Sequence, residues 1–166
     1  MDKQIYLAGG CFWGTEAYFS RLKGVIRTEC GYANGNTPNP SYEDVCLKNT
    51  GRAETVLVVY EPSVISLEKL ISEFFKSIDP TVMNCQGADI GTQYRSGIYY
   101  TDETDAAVIR GCIVKKQKEY SRRIVTEVLP LLNYYPAEEY HQNYLRKNPG
   151  GYCHVNLNMI RDEDKK

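Results

Sequence analysis

The clearest pattern in the chain is a run of apolar positions at helical spacing. The apolar residues fall at i, i+3, i+4, i+7, i+8 and i+11, which together form one face of an α-helix; they are Leu67, Leu70, Ile71, Phe74, Phe75 and Ile78. Ser66 precedes the run as a good N-cap, and Asp79-Pro80 follows it. The spacing therefore predicts a helix from Ser66 to Ser77.

Five segments favour β-strands. Residues 55–60 contain a continuous Val-Leu-Val-Val core, which is typical of a strand buried on both faces. Ile5 and Leu7 alternate with polar neighbours over residues 4–8, and this pattern predicts a strand that runs into a turn at Gly9-Gly10. Strands are also expected over residues 25–30, 97–100 and 124–128.

Charged residues predict a second long helix that begins after Thr101, its expected cap. Acidic residues would lie in its first turn and Lys115, Lys116 and Lys118 in its last, the order that the helix dipole favours. Shorter helices are expected over residues 13–22, 41–48 and 136–147, with loops over 31–40 and 81–95. From Tyr152 onward the chain is expected to be extended and then disordered.

The order of these elements indicates the fold class. We expect an α/β (α+β) fold, a two-layer sandwich of the ferredoxin-like kind in which one mixed sheet is covered by helices. No linker, repeat or low-complexity tract divides the chain. Residues 1–166 are therefore expected to form a single domain, with a mobile C-terminal tail from about residue 150.

Composition and charge exclude several classes of function. Twenty Lys and Arg residues nearly balance 21 Asp and Glu residues, so nothing in the net charge of −1 favours nucleic acid or an anionic membrane as a partner. The longest strongly apolar run, residues 56–60, is far too short to span a bilayer. The first residues lead directly into a predicted strand without a secretion signal. We therefore expect a cytoplasmic protein and no requirement for a dimer.

Six cysteines lie at positions 11, 30, 46, 85, 112 and 153, and no two of them form a C-x-x-C pair. This spacing excludes a zinc ribbon and a thioredoxin-type dithiol, and no metal site is expected. Most of the six are expected to be small buried apolar side chains, since a cytoplasmic chain has little use for structural disulfides. One or two of them could carry chemistry.

Cys11 is the best candidate, because it lies in the sequence Gly-Gly-Cys-Phe-Trp-Gly between a predicted strand and a predicted helix. The unpaired N–H groups at a helix start favour a thiolate and lower its pKa. The flanking glycines let a substrate approach closely, and Phe12 and Trp13 could form an apolar wall. A buried cysteine in a glycine turn with two core aromatics is the other interpretation.

A thiolate at this position could serve two chemistries. Acyl transfer would need a histidine base, which could only be His141 or His154. Sulfur redox chemistry needs a proton donor instead, and Glu54, entering a buried strand, would have its pKa raised and could donate. Hydroxyls of Tyr32, Tyr42 and Tyr94 lie in or beside predicted loops and could face a cleft. A third alternative is an aromatic-rich peptide-binding domain without catalysis, which would tolerate Cys11→Ser.

Several segments together resemble the peptide methionine sulfoxide reductases of the A type (MsrA). They span nearly the whole chain in matching order and spacing: Gly10-Cys11-Phe12-Trp13-Gly14, Thr50-Gly51-Arg52-Ala53-Glu54, Asp79-Pro80-Thr81, residues 86–96, Glu138 to Tyr144 and Gly151-Tyr152-Cys153. The resemblance implies a thioredoxin-dependent peptide-methionine (S)-S-oxide reductase. The present sequence departs from the family's common pattern at Arg52, Cys85 and Ala88.

The resemblance also implies roles for matching residues. Cys11 corresponds to the nucleophile that attacks the sulfoxide sulfur and becomes a sulfenic acid, and Glu54 corresponds to the acid that protonates the oxygen. Tyr42 and Tyr94 correspond to hydroxyl donors to that oxygen.

Three further positions correspond to substrate-binding residues: Phe12 and Trp13 would hold the methyl group, and Asp89 would orient the pocket. Cys153 corresponds to the resolving cysteine, which would form a disulfide with Cys11 for thioredoxin to reduce. Cys85 is a rival for this role, and a site without a resolving thiol is the remaining alternative. The implied reaction uses methionine-S-sulfoxide, free or in oxidised proteins, and no bound metal or organic cofactor.

Overall fold

The computed structural model describes residues 1–35, 41–47 and 51–166, with only the backbone described at 45–47. The strands are β1 (Lys3–Gly9), β2 (Val25–Ala33), β3 (Ala53–Tyr60), β4 (Cys85–Gln86), β5 (Asp89–Ile90), β6 (Ser96–Tyr100), β7 (Glu127–Pro130) and β8 (Tyr134–Pro136). The helices are α1 (Phe12–Ser20), α2 (Tyr42–Leu47), α3 (Leu67–Ser77), α4 (Glu103–Gln117) and α5 (Tyr144–Lys147). Single 3-10 turns lie at Thr92–Tyr94, Glu139–His141, Leu157–Met159 and Asp162–Asp164.

Six strands form one mixed sheet in the order β7-β6-β1-β3-β2-β8. All neighbours are antiparallel except β6 and β7, which run parallel. β4 and β5 form a separate small hairpin within the predicted loop over 81–95. The mixed α/β class is therefore confirmed. β1 and β3 are the two innermost strands of the sheet, so residues at their ends lie far from its edges.

The sheet buries both of its faces. Alternate residues of β1 divide between them, with Ile5 and Leu7 in the larger core and Tyr6 and Ala8 in a smaller cluster on the opposite face. The apolar stripe of α3 joins the larger core, as does Phe19 of α1. The predicted burial of β3 on both faces is confirmed, since seven of its eight residues are buried.

The helix predicted from the apolar stripe is present as α3. The Ser66 side chain accepts a hydrogen bond from the Lys69 N–H at 3.1 Å, so the predicted N-cap is confirmed. Phe74 is fully buried, and one edge of its ring would lie 3.0 Å from a Cβ built on Gly9. α3 therefore packs against the end of β1 through Phe74.

Several predicted boundaries are wrong, among them the end of α1, which lies at Ser20 and not at the predicted residue 22. Asp102, not Thr101, caps α4, because its carboxylate is the group that accepts the Thr104 N–H, at 2.9 Å. β2 continues to Ala33 through residues predicted as loop, because β8 pairs with them. β7 begins at Glu127, later than the predicted 124, and its parallel partner is β6. The part of the predicted loop at 36–40 and residue 48 of the predicted helix over 41–48 lie outside the described residues.

The predicted helix over 136–147 is also wrong in most of its length. Pro136 ends β8, Glu139–His141 form a 3-10 turn, and only Tyr144–Lys147 are α-helical. The cause is Gln142, whose carboxamide accepts the Cys30 N–H at 2.8 Å and donates to the Cys30 carbonyl at 2.9 Å. The Gln142 side chain thus pairs with the backbone of β2 as a neighbouring strand would. Asn143 follows with a left-handed φ of 53°, which an α-helix does not allow.

The C-terminal segment packs back onto the molecule. Val155 and Ile160 are buried, and the Lys166 N–H donates to the Arg21 carbonyl at 3.0 Å. The expected disorder after Tyr152 is not found, because these apolar side chains find places in the core. Motion of the segment from about residue 150 stays a prediction. Within the described ranges, no helix is long and apolar enough to cross a membrane.

We expect Phe74→Ala to lower the free energy of unfolding by about 3–5 kcal/mol, because it leaves a cavity under the β1–α1 turn. Val64→Ala is the control: this side chain is largely exposed, and its loss should change stability by less than about 0.5 kcal/mol. Urea unfolding followed by circular dichroism measures both variants. Equal stability of the two would contradict the packing described for α3.

Candidate active site

Cys11 occupies the N-cap position of α1, directly after the turn that ends β1. The backbone N–H groups of Trp13 and Gly14 point at its sulfur. Gly10 has a φ of 85°, and a Cβ built there would lie 2.7 Å from the Gln86 Cβ. The predicted strand-to-helix position of Cys11 is therefore confirmed, with glycine required at the turn by both conformation and space.

Burial decides the resting state of Cys11. The residue is 8% exposed, and desolvation raises the pKa of its thiol well above the ordinary value of 9.0. The charge of Glu54 raises this pKa further, whereas the two N–H groups of α1 lower it by less. The expectation of a resting thiolate is wrong, because desolvation exceeds the effect of the helix start. At neutral pH the raised pKa therefore keeps Cys11 as a thiol.

Glu54 reaches the same turn from β3. Its carboxyl Oε1 accepts the Phe12 N–H at 3.2 Å, while Oε2 is buried and has no hydrogen-bond partner among the described residues. Burial raises the pKa of Glu54 to about 8, and the negative charge of Asp89 adds to this effect. The predicted raised pKa is confirmed. At neutral pH Glu54 holds a proton next to Cys11.

Trp13 is held from two sides. Its indole ring stacks on the Tyr144 ring, with centroids 3.7 Å apart and an interplanar angle of 9°. Its Nε1–H donates to His141 Nδ1 at 2.9 Å. The Phe12 ring is fully buried and lies 5.0 Å from the His141 ring. Phe12 and Trp13 thus form part of one aromatic wall beside Cys11, as their sequence position suggested.

Tyr42 joins this wall from α2. Its ring lies 4.5 Å from the His141 ring and 6.4 Å from the Phe12 ring, and its backbone N–H donates to Glu138 Oε2 at 3.0 Å. Tyr94 ends a 3-10 turn two residues before Ser96, which pairs with Gly9. Both predicted tyrosines therefore belong to elements that meet at the end of β1.

Asp89 lies on the β4–β5 hairpin. Gln86 of the same hairpin packs against Gly10, and its carboxamide bonds both the N–H and the carbonyl of Asp79 at 2.9 Å. The charge of Asp89 raises the pKa of Cys11, Glu54 and Tyr152, which places its carboxylate close to all three. Its Oδ2 is buried, without a hydrogen-bond partner in the described part of the chain.

Cys153 lies against the first turn of α1. A Cβ built on Gly14 would be 3.2 Å from its sulfur, and the thiol donates to the Val155 carbonyl at 3.2 Å. Cys85 is half-buried on the hairpin and donates to the Gly87 carbonyl at 3.6 Å. Cys11, Cys30, Cys85, Cys112 and Cys153 are all free thiols.

Two of the three cysteines expected to be inert can be placed. Cys30 is fully buried and donates to Glu16 Oε1 at 3.4 Å. Cys112 is half-buried on α4, against the larger core. The side chain of Cys46 lies outside the described residues.

The histidines have other partners than Cys11. His141 accepts the indole N–H of Trp13 and is 1% exposed, and His154 Nε2 lies 2.8 Å from the Gly9 carbonyl oxygen. Among the described residues neither forms a hydrogen bond with Cys11. The sequence did not predict the contact of His141 with Trp13. The one feature that pointed to it is the position of His141 between two aromatic residues, Tyr140 and Tyr144.

Arg52 is one of the positions at which the sequence differs from the common pattern, and its contacts show what it does in the fold. Its guanidinium is buried, donates to Asn133 Oδ1 at 2.5 Å and lies over the Tyr135 ring at 4.7 Å. Arg52 thus ties the start of β3 to the segment that leads into β8, and it does so outside the Cys11–Glu54 pair.

Comparison with known proteins decides the family. A family model described as "Peptide methionine sulfoxide reductase" matches residues 3–166. The chain belongs to this family.

Curated relatives agree over nearly their whole lengths. The chain is 59% identical to "Peptide methionine sulfoxide reductase MsrA" of Clostridium perfringens, with 93% of this chain and 99% of that protein covered. It is 55% identical to the MsrA of Clostridium acetobutylicum, with 96% and 98% covered.

Solved structures give the same result. Reduced Mxr1 from Saccharomyces cerevisiae is similar with a TM-score of 0.89 and 43% identity, covering 94% of this chain and 92% of that one. Methionine sulfoxide reductase A of Corynebacterium diphtheriae is similar with a TM-score of 0.86 and 38% identity, covering 92% and 77%. This protein is therefore an enzyme that reduces methionine sulfoxide, and neither the acyl hydrolase nor the peptide-binding alternative is supported.

We expect Glu54→Gln to speed the alkylation of Cys11 at pH 9. Above pH 8 the Glu54 carboxylate is charged and opposes the thiolate, so its removal lowers the pKa of Cys11. We expect a roughly threefold faster reaction. Iodoacetamide labelling of Cys11 followed by peptide mass spectrometry measures the rate, with the exposed Glu103→Gln as control. A rate in Glu54→Gln that is unchanged or slower would show that the charge of Glu54 does not oppose the thiolate.

Proposed function

We propose that this methionine sulfoxide reductase acts on the S epimer, free or in oxidised proteins, and that Cys11 and Glu54 carry out the chemistry. The observation that supports this most strongly is the contact of the buried Glu54 carboxyl with the first turn of α1. It puts a proton that is available at neutral pH beside the thiol at the N-cap of α1. The activity then repairs oxidative damage to methionine.

In the first step the Cys11 sulfur attacks the sulfoxide sulfur while Glu54 gives its proton to the oxygen. This attack forms a sulfur–sulfur bond. The hydroxyl group then passes from the substrate sulfur to the Cys11 sulfur, so that the substrate's sulfur–oxygen bond and the new sulfur–sulfur bond both break and a sulfur–oxygen bond forms on Cys11. Methionine leaves with an electron pair on its sulfur, and Cys11 becomes a sulfenic acid. The carboxylate formed on Glu54 accepts the proton that the Cys11 thiol loses. One proton therefore leaves Glu54 and another returns to it, and no net charge is left in the buried site.

Tyr42 and Tyr94 are proposed to donate to the sulfoxide oxygen as negative charge develops on it. Phe12 and Trp13 would surround the methyl group. A site that bonds the oxygen on one side and packs the methyl on another discriminates two sulfoxide epimers, because exchanging these groups leaves buried donors unpaired. The rigid mounting of Trp13 between Tyr144 and His141 supports such discrimination.

Asp89 is proposed to bind the backbone N–H of the substrate. Its buried Oδ2 is an acceptor without a partner in the described structure, and a donor from the substrate would satisfy it.

Regeneration is proposed to proceed through Cys153. Its thiol would attack the sulfenic acid, and thioredoxin would reduce the resulting disulfide. Yeast Mxr1 has been solved in complex with Trx2, and that chain is similar to this one with a TM-score of 0.60 and 30% identity, covering 86% of this chain and 84% of that one. The position of the Cys153 sulfur over Gly14 favours it over Cys85. Motion of the tail from about residue 150 would then bring the two sulfurs together.

Further expectations belong to the same proposal. The chemistry needs no metal or organic cofactor, since Cys11 supplies the electron pair and thioredoxin the reducing equivalents. We place the enzyme in the cytoplasm, where thioredoxin keeps thiols reduced, and expect a monomer. The antiparallel order β6-β1-β3-β2, with α1 and α3 each joining alternate strands, supports a ferredoxin-like two-layer core.

We expect activity to fall as pH rises through about 8, because only protonated Glu54 can donate. The value of kcat/KM for methionine-S-sulfoxide, measured between pH 6 and 10, should show this alkaline limb. Glu54→Gln should lower kcat/KM by about 10²–10⁴-fold and abolish the limb. A Glu54→Gln enzyme as active as Glu103→Gln would overturn the role of Glu54.

The two epimers of a blocked methionine sulfoxide test the function itself, with dithiothreitol or thioredoxin as reductant. We expect turnover of the S epimer and none after Cys11→Ser; turnover of the R epimer alone would overturn the proposal. Cys153→Ser should lose turnover with thioredoxin and keep it with dithiothreitol. Cys85→Ser is the matched control and should keep both.

A further inference from the structure

His154 lies across the turn that carries Cys11. At one end of the imidazole, Nε2 is 2.8 Å from the Gly9 carbonyl oxygen and would be 3.1 Å from a Cβ built on Gly10. At the other end, Nδ1 would be 3.3 Å from a Cβ built on Gly14. The ring therefore spans the turn from its last strand residue to the first turn of α1, and Cys11 lies between these two points in the chain.

The hydrogen bond to Gly9 fixes the tautomer of His154. A carbonyl oxygen only accepts, so Nε2 carries the proton and Nδ1 keeps a lone pair. Nδ1 is buried and has no hydrogen-bond partner among the described residues. Burial also lowers the pKa of His154, so the ring is neutral at pH 7. A buried acceptor without a partner is unfavourable and calls for an explanation.

The Cys153 thiol faces the same place. Its sulfur would be 3.2 Å from the Gly14 Cβ, the point from which His154 Nδ1 is 3.3 Å away. In the resting structure this thiol donates to the Val155 carbonyl. A backbone carbonyl cannot remove the proton, whereas a neutral imidazole nitrogen can. When Cys153 turns from Val155 toward Cys11, the lone pair of Nδ1 is the basic group over that turn.

We propose that His154 is the base that takes the proton from Cys153 as Cys153 attacks the sulfenic acid of Cys11. The inference rests on the proposed function. The sulfur–hydrogen bond of Cys153 breaks and its proton goes to Nδ1. The freed electron pair forms the disulfide bond, and the sulfur–oxygen bond on Cys11 breaks. The leaving oxygen takes two protons in all, its own and the one from His154, and departs as water, so Cys153 is oxidised and Cys11 is reduced.

The groups around His154 set the pH at which this base works. Asp89 on the hairpin opposes the effect of burial and raises the pKa of the ring. Lys76 and Asp79, at the end of α3, line the cleft beside His154, and Tyr152 precedes it by two residues. Because burial outweighs the charge of Asp89, the ring becomes protonated only below its ordinary pKa of 6.5.

Single-turnover experiments without reductant test the inference. The full chain is mixed with the S epimer, and methionine formed and disulfide formed are followed in quenched samples by chromatography and mass spectrometry. His154→Gln keeps an amide donor for the Gly9 carbonyl but has no basic nitrogen, and His154→Ala removes both. The control is Asn156→Ala, since this side chain accepts only the N–H of Asn158 in its own tail.

We expect disulfide formation, relative to methionine formation in the same variant, to fall at least tenfold in His154→Gln and in His154→Ala and to stay unchanged in Asn156→Ala. In the unmodified protein, disulfide formation should slow as pH falls below 6.5, a limb that His154→Gln lacks. Normal disulfide formation in His154→Gln, or a wild-type rate without the acidic limb, would overturn the role of His154 as base. If the wild type forms no methionine, the proposed function fails first.

Discussion

The hydrogen bond from the Phe12 N–H to the Glu54 carboxyl joins the central strand of the sheet to the first turn of α1. The N–H belongs to the set that every helix leaves unpaired at its start, so the bond satisfies a group that would otherwise be orphaned. It also fixes the acid one residue from Cys11. The proposed chemistry depends on this attachment, because a strand and a helix start hold the carboxyl and the thiol in fixed positions.

Burial gives this pair its properties. A carboxyl and a thiol that share a dry site both resist ionisation, so the pair holds two protons where water would leave at most one. The proposed nucleophile is therefore protonated at rest, and the proposed acid still holds its proton at neutral pH. Cys30, fully buried and bonded to Glu16, has its thiol pKa raised by the same kind of desolvation.

The elements that local sequence determines were predictable. α3 follows from its apolar stripe and Ser66, and β3 follows from its unbroken aliphatic run. The position of Cys11 follows from the glycines around it, and the raised pKa of Glu54 from its entry into a buried strand. The resting thiol of Cys11 was not predictable, because desolvation is contributed by neighbours remote in the chain. The loss of the helix over 136–147 has a similar cause, since Gln142 bonds a strand more than 100 residues away.

The chain contains a single tryptophan, Trp13, and it forms part of the aromatic wall beside Cys11. Its indole ring is fixed by one stacked ring and one hydrogen bond, so its excited state reports on a defined and rigid environment. A molecule bound beside this ring would alter the polarity around it. The protein therefore contains its own fluorophore at the place of interest, and the intensity of its emission is an intrinsic optical signal of occupancy that needs no added label.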